Sequence, residues 1–357
     1  FTKMLQFIKY MKIDYPEKVQ IMFKKQKGSV DGWTKDIAQN LLNEFPRHKL
    51  PERFEVYKAH SSFFVNFWPI FFQLTLIVSG ILLIVLITAL LKKNSKLDPP
   101  LKILIQALKW NLFLTIFCGS IGGVVLFTSL ELRTLQLDKF ATVFSFLLCL
   151  TINIMAIYLI YYILDINWLI RKTKTKTVPE HNPEKQKDQI VKKWWNYRSL
   201  FMPYVDSSYS QQIYLFIFLS RVILFNGMVG YLYQYPLLQA STFVLCGILM
   251  LSYLIIQRPM KKLINFIMQI CFELLLLPFN ICVLILAIMD KHGIEALDHR
   301  KRLGDALIYL NLIAPFLAIS ITLTKAYSVA VDFYNHIKTH RSTKNVKAIH
   351  PEMVLNV

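Results

Sequence analysis

The chain has 357 residues, of which 55% are hydrophobic and 18% charged, with a mean hydropathy of +0.42. Soluble domains hold roughly 45–50% apolar and about 25% charged residues. This composition therefore excludes a disordered chain, a coiled coil and a disulfide-stapled secreted module, and it points to an integral membrane protein. The net charge is +19, from 41 Lys and Arg against 22 Asp and Glu, and the positions of those charges decide topology.

Residues 1–62 carry charge throughout and contain no apolar run of the signal-peptide kind. Tyr15-Pro16, Phe45-Pro46 and Leu50-Pro51 predict breaks between two or three short amphipathic helices, because a residue before proline is biased away from helical geometry. The segment begins with Phe1 rather than Met, and the reading expects further chain upstream.

A bilayer core of ~30 Å takes ~20 apolar residues in a helix. Seven stretches reach that length: 63–91, 110–130, 140–164, 213–233, 236–257, 263–289 and 306–324. Charge interrupts them only at Arg221 and Glu273. Each exceeds the ~10 alternating residues of a barrel strand, and a helix satisfies its own backbone hydrogen bonds in lipid. The predicted fold is all-α, a polytopic bundle of about seven transmembrane helices with short interfacial helices. The bundle covers 63–331, a basic loop covers 165–212, and a tail covers 332–357.

Alternate loops differ sharply in charge. The loops 92–109, 165–212 and 258–262 together with the chain from Lys325 on hold 22 Lys and Arg, whereas the opposite loops hold six. Those six are balanced by Glu131, Asp138, Asp290, Glu295, Asp298 and Asp305. Basic loops stay cytosolic, so the N-terminal segment is predicted outside and the C-terminus cytosolic. Asp98-Pro99-Pro100 reads as the start of an interfacial helix. Lys192 and Lys193 beside Trp194 and Trp195 read as a headgroup-level belt, and the polybasic run 171–187 reads as a stretch attracted to anionic lipid on the cytosolic face.

All five cysteines fall inside the predicted spans, so no disulfide framework is expected. His336 and His340 stand at i, i+4 without a clear third ligand, and a solvated helix face is the preferred reading over a metal site. The zinc-protease, P-loop, dinucleotide and serine-hydrolase motifs are all missing from the sequence. No enzymatic activity, cofactor or nucleic-acid partner is expected.

Arg221 and Glu273 carry the sharpest expectation. An ionised group at mid-bilayer costs ~2.5–3.5 kcal/mol and needs a protein partner. At ~1.5 Å per residue, Arg221 lies ~12 Å and Glu273 ~15 Å from the cytosolic ends of their spans. Their depths match, which predicts an intramembrane charge pair. Asn265, Gln269 and Asn280 in span six and Asn311 in span seven, with Pro278 and Pro315, offer either a cavity or pore lining or plain interhelical hydrogen bonds. Gly119 and Gly123 form a GxxxG pattern for close helix packing.

The succession Arg221, Tyr235-Pro236-Leu237-Leu238-Gln239, Arg258-Pro259-Met260-Lys261, Asn265 and Glu273 resembles the C-terminal multi-span region of large ciliate surface membrane proteins. It is more distantly similar to the fungal TRP-like transmembrane domain, with Met260 standing where an aromatic is expected. Ile13-Asp14-Tyr15-Pro16 ahead of the first span and Ser129-Leu130-Glu131-Leu132 at the end of the second fit the same pattern. The resemblance implies a large extracellular region upstream and a plasma or ciliary membrane. The leading expectation is a multi-span module that anchors an extracellular assembly. The alternatives are a TRP-like ion channel with spans six and seven near the pore, and a seven-span receptor.

Overall fold

In the computed structural model, the described residues are 7–25, 39–90, 112–175, 203–205, 208–294 and 296–349, with Ile105, Leu108 and Leu200. Three short helices come first: α1 (Glu17–Lys25), α2 (Gln39–Asn43) and α3 (Glu52–Val56). Helices α1 and α3 begin directly after Pro16 and Pro51, and α2 ends shortly before Pro46. Proline fits the start of a helix and stops one elsewhere.

The long helices are α4 (Phe63–Leu90), α5 (Phe113–Arg133) and α6 (Phe140–Thr175), then α8 (Tyr214–Tyr231), α9 (Pro236–Gln257), α10 (Leu263–Lys291) and α11 (Leu297–Ile349), with the four-residue α7 (Tyr209–Gln212) just before α8. Among the described residues, seven helices are long and apolar enough to cross a membrane. The protein is an all-α, multi-pass integral membrane protein. Helix α11 starts at Leu297 rather than at Ala306. Charge-free length marks the hydrocarbon core, whereas Arg300, Lys301 and Arg302 extend the helix into water without breaking it. Asp298 in the first turn complements the helix dipole.

The chain divides into two compact units, Phe1–Ile308 and Tyr309–Val357. In the second unit the helix runs to Ile349, and Thr322 and Thr324 bond back to the carbonyls of Ala318 and Ser320.

In the first unit, α5 packs on α4, α6 and α8, while α9 packs on α10. Phe63 and Phe67 of α4, Phe117, Ile121 and Val124 of α5, and Cys149 and Ile163 of α6 are buried in one cluster. The later turns of α4 expose Leu82 and Leu86 at 64% and 57%. In a soluble protein such exposure would be a liability, but in a bilayer these side chains meet acyl chains.

Helices that alternate in direction give two faces. The start of α4, the ends of α5 and α10 and the start of α11 share the first face, and the N-terminal segment lies on it. Phe7 meets Phe127 edge-on at 6.2 Å, Phe45 packs on Phe64 at 5.0 Å, and Asp14 reaches Asp290. That segment has its own core of Ile8, Met11, Ile13, Tyr15, Val19, Phe23 and Phe54, each at most 2% exposed.

On the second face, Tyr204 bridges antiparallel to Met260. The Val205 amide donates to the Pro259 carbonyl at 2.7 Å and the Lys261 amide to that of Pro203 at 3.0 Å. This pairing holds the Arg258-Pro259-Met260-Lys261 turn, in which Arg258 is left-handed at φ 45°. A non-glycine residue there carries strain of ~1–3 kcal/mol, and Pro259 prevents the helix from continuing.

Candidate functional site

The structure places Arg221 of α8 against Glu273 of α10. Arg221 Nη1 donates to Oε1 and Oε2, each at 2.7 Å. Their side chains are only 7% and 4% exposed. Both oxygens share one guanidinium nitrogen, which differs from the two-nitrogen fork of strong arginine–carboxylate pairs. Gln269, one turn earlier on α10, adds a third arm by donating from Nε2 to Glu273 Oε1 at 3.1 Å.

Asn265, Gln269, Glu273 and Asn280 lie on one stripe of α10, because steps of four, four and seven residues return to nearly the same angle. Asn265 and Gln269 are half-buried and Asn280 is 1% exposed. Asn311 is half-buried and belongs to the second unit. Buried amides that the sequence reading passed over occur on the neighbouring helices. Asn226 of α8 donates to Val222 O at 2.7 Å, and Gln239 of α9 donates to the carbonyls of Met228 and Leu232. Asn226 Oδ1, Gln239 Oε1 and Asn280 Oδ1 are buried with no donor. Three unsatisfied acceptors among α8, α9 and α10 are unusual, since most buried polar atoms have a partner.

A second polar knot lies at the first face. Glu131 is inside α5 and 5% exposed, so it is not the solvated loop acid that the charge balance assumed. Its Oε2 accepts from the Phe63 amide at 2.6 Å and from Ser145 Oγ at 3.1 Å. Ser145 Oγ accepts in turn from the Phe64 amide at 3.2 Å and sits 2.9 Å from Ser62 Oγ. Phe63 and Phe64 open α4, whose first amides have no partner within the helix. Glu131 therefore caps α4 from α5, with α6 supplying Ser145. Its position at the end of a charge-free run does not reveal this cap in sequence, because a loop acid stands in the same place.

The N-terminal segment is held to the α10–α11 turn by charge. The Asp14 amide donates to Asp290 Oδ2 at 2.7 Å. Arg300 donates from Nη2 to Asp290 Oδ1 and from Nη1 to the Asp14 carbonyl. Arg53 pairs with Asp14 at 3.1 Å and Lys18 with Asp305 at 3.0 Å. Gly304 faces Pro16, and a Cβ there would sit 2.9 Å from the proline ring. Tyr15 and Tyr57 lie in the same segment. Burial pushes the Tyr15 hydroxyl well above the usual tyrosine range and raises Tyr57 as well, against the pull of Arg53. Tyr15 OH donates to Ile8 O at 3.0 Å.

The close approach of α5 to α8 runs through Gly122 rather than through the Gly119 and Gly123 pair. A Cβ on Gly122 would lie 2.6 Å from Asn226 Nδ2, whereas one on Gly123 would meet Phe127 of its own helix at an ordinary 3.5 Å. Gly119 is exposed. One helical turn or more further on, Ser129 meets Gly230, where a Cβ would lie 2.0 Å from Ser129 Oγ. Lys192, Lys193, Trp194 and Trp195, the polybasic run beyond Thr175 and the segment 98–104 lie outside the described residues. No grouping of three or more His, Cys, Asp or Glu able to hold a metal occurs among the described residues.

In comparisons with known proteins, no family model, no curated protein and no solved structure matches this chain.

Proposed function

We propose that the chain is the membrane-anchoring module of a larger surface protein and holds an extracellular assembly at the membrane. The observation that carries this reading is the docking of the N-terminal segment. A segment with its own buried core, clamped at Asp14 to Asp290 and Arg300, is suited to receive a preceding extracellular region and fix it to the bundle. The resemblance to ciliate surface proteins supports the same reading. The Lys and Arg bias supports an outside N-terminus, a cytosolic C-terminus and anionic lipid at the basic face. A plasma or ciliary membrane follows from that resemblance. The role is structural rather than enzymatic.

A tag ahead of residue 7 tests the orientation. Antibody should label it on intact cells, and labelling only after permeabilisation refutes it. The anchor is tested with a soluble reporter fused ahead of the chain. The reporter should remain at the cell surface, and its release or intracellular retention refutes the reading.

A second reading, a TRP-like channel, is favoured by one observation. The unsatisfied oxygens of Asn226 and Asn280 sit on the helices that hold Arg221 and Glu273, that of Gln239 sits on α9 between them in sequence, and Pro278 interrupts the hydrogen bonding of α10. Planar-bilayer recording decides between the two readings. A conductance that changes with Asn280→Leu establishes the channel, and a silent reconstituted protein removes it.

A further inference from the structure

The first turns of α11 present two faces. Arg300 and Gly304, four residues apart, meet the N-terminal segment at Asp14 and Pro16. His299, Arg302 and Leu303 share a different stripe by the i, i+3, i+4 rule. That stripe lines an open cleft of about 500 Å³ together with Ile285 and Met289 of α10 and with Ile294 of the turn between the two helices. Ile285 and Met289 stand in the last turns before Asp290, and the two basic residues stand just outside the apolar run of α11. The cavity thus straddles the level where hydrocarbon gives way to headgroups.

An apolar cleft of this size with two nitrogen donors at its rim matches an amphipathic anion better than a fully polar or fully apolar ligand. The bilayer supplies one such molecule at this depth. We propose that the cavity binds one phospholipid of the surrounding membrane. An acyl chain lies against Ile285, Met289, Ile294 and Leu303, and the phosphate is held by Arg302 and His299. Arginine is the preferred phosphate partner because its fork matches two oxygens at once. The docked segment fixes the other face of α11, so the cleft is preformed rather than induced, and a preformed site loses less to ordering. Neither the anchor reading nor the channel reading is needed for this site.

The test uses the full chain extracted in mild detergent, with phosphatidylglycerol added, and native mass spectrometry to count bound lipid. The unaltered protein should retain one phospholipid per chain. Met289→Trp fills the cavity and should abolish retention. Arg302→Glu should weaken it about ten-fold or more, the size of one lost charge-assisted hydrogen bond. Leu148→Trp, in the separate groove between α4, α5 and α6, should leave it unchanged. Arg302 is exposed, so its variant remains informative should the tryptophan variant fail to fold. Retention that is absent in the unaltered chain, equal in Arg302→Glu, or lost equally in Leu148→Trp overturns the proposal. Retention of a fatty acid in place of a phospholipid does so too.

Discussion

Removing Glu273 alone should cost more than removing Glu273 and Arg221 together. Glu273→Leu leaves the Arg221 guanidinium, now 7% exposed, in a dry helix contact with no carboxylate. Arg221→Met leaves the converse, a buried carboxylate with only Gln269 as donor. Stranding one member of a buried pair costs about 3–5 kcal/mol, and the insertion penalty of ~2.5–3.5 kcal/mol for a lone charge points to the lower end. About 3 kcal/mol per single variant corresponds to a folded-to-unfolded ratio roughly 150-fold lower, at ~1.4 kcal/mol per decade. The double variant replaces the pair with apolar groups of similar bulk and should fall within about 1 kcal/mol of the unaltered protein. Unfolding in mixed micelles of increasing SDS fraction measures all four proteins on one scale. A double variant that loses about 6 kcal/mol, the sum of the singles, would show that the 2.7 Å contact carries no coupling and would refute the reasoning.

Three further outcomes are expected. Glu131→Ala should cost about 1.5–3 kcal/mol in the same assay by orphaning the Phe63 amide and Ser145, whereas Glu131→Gln keeps an acceptor and should lose less. Gly122→Ala forces the buried Asn226 to move and should cost about 1–3 kcal/mol, while Gly123→Ala should be neutral or mildly stabilising because helix propensity favours alanine. Tyr15 has a folded-state pKa above its unfolded value near ~10, so its contribution is complete below about pH 10 and is lost as pH rises through the folded value. Near-ultraviolet circular dichroism across an alkaline titration should show the N-terminal segment loosening there, and Tyr15→Phe should shrink that transition, with Tyr57 supplying the remainder.

Hydropathy reveals the long helices because the bilayer imposes a length that few other environments require. It also reveals the depth of Arg221 and Glu273, since rise per residue converts sequence position into distance, and the structure has the two in contact. The stopping points of α11 escape it, because a charge that ends a hydrocarbon crossing does not end a helix. Glu131 escapes for another reason. A carboxylate at a span boundary looks solvated unless the start of α4 is known to stand beside it. Gly122 widens the small face of Gly119 and Gly123, but which of the three glycines meets the neighbouring helix most closely is fixed only by that helix, here through Asn226. The contact of Asp14 with Asp290 joins residues 276 positions apart, and no periodicity reports such a meeting.

That contact sets the mechanical order of the chain. Tension entering ahead of residue 7 does not travel along the sequence to α4. It is taken up first by α5 through Phe7, and then by the α10–α11 hairpin through Asp14, Pro16 and Lys18. A pull on the N-terminal end therefore strains the second and sixth long helices and the first turns of α11 before α4, although α4 is the long helix it adjoins in sequence.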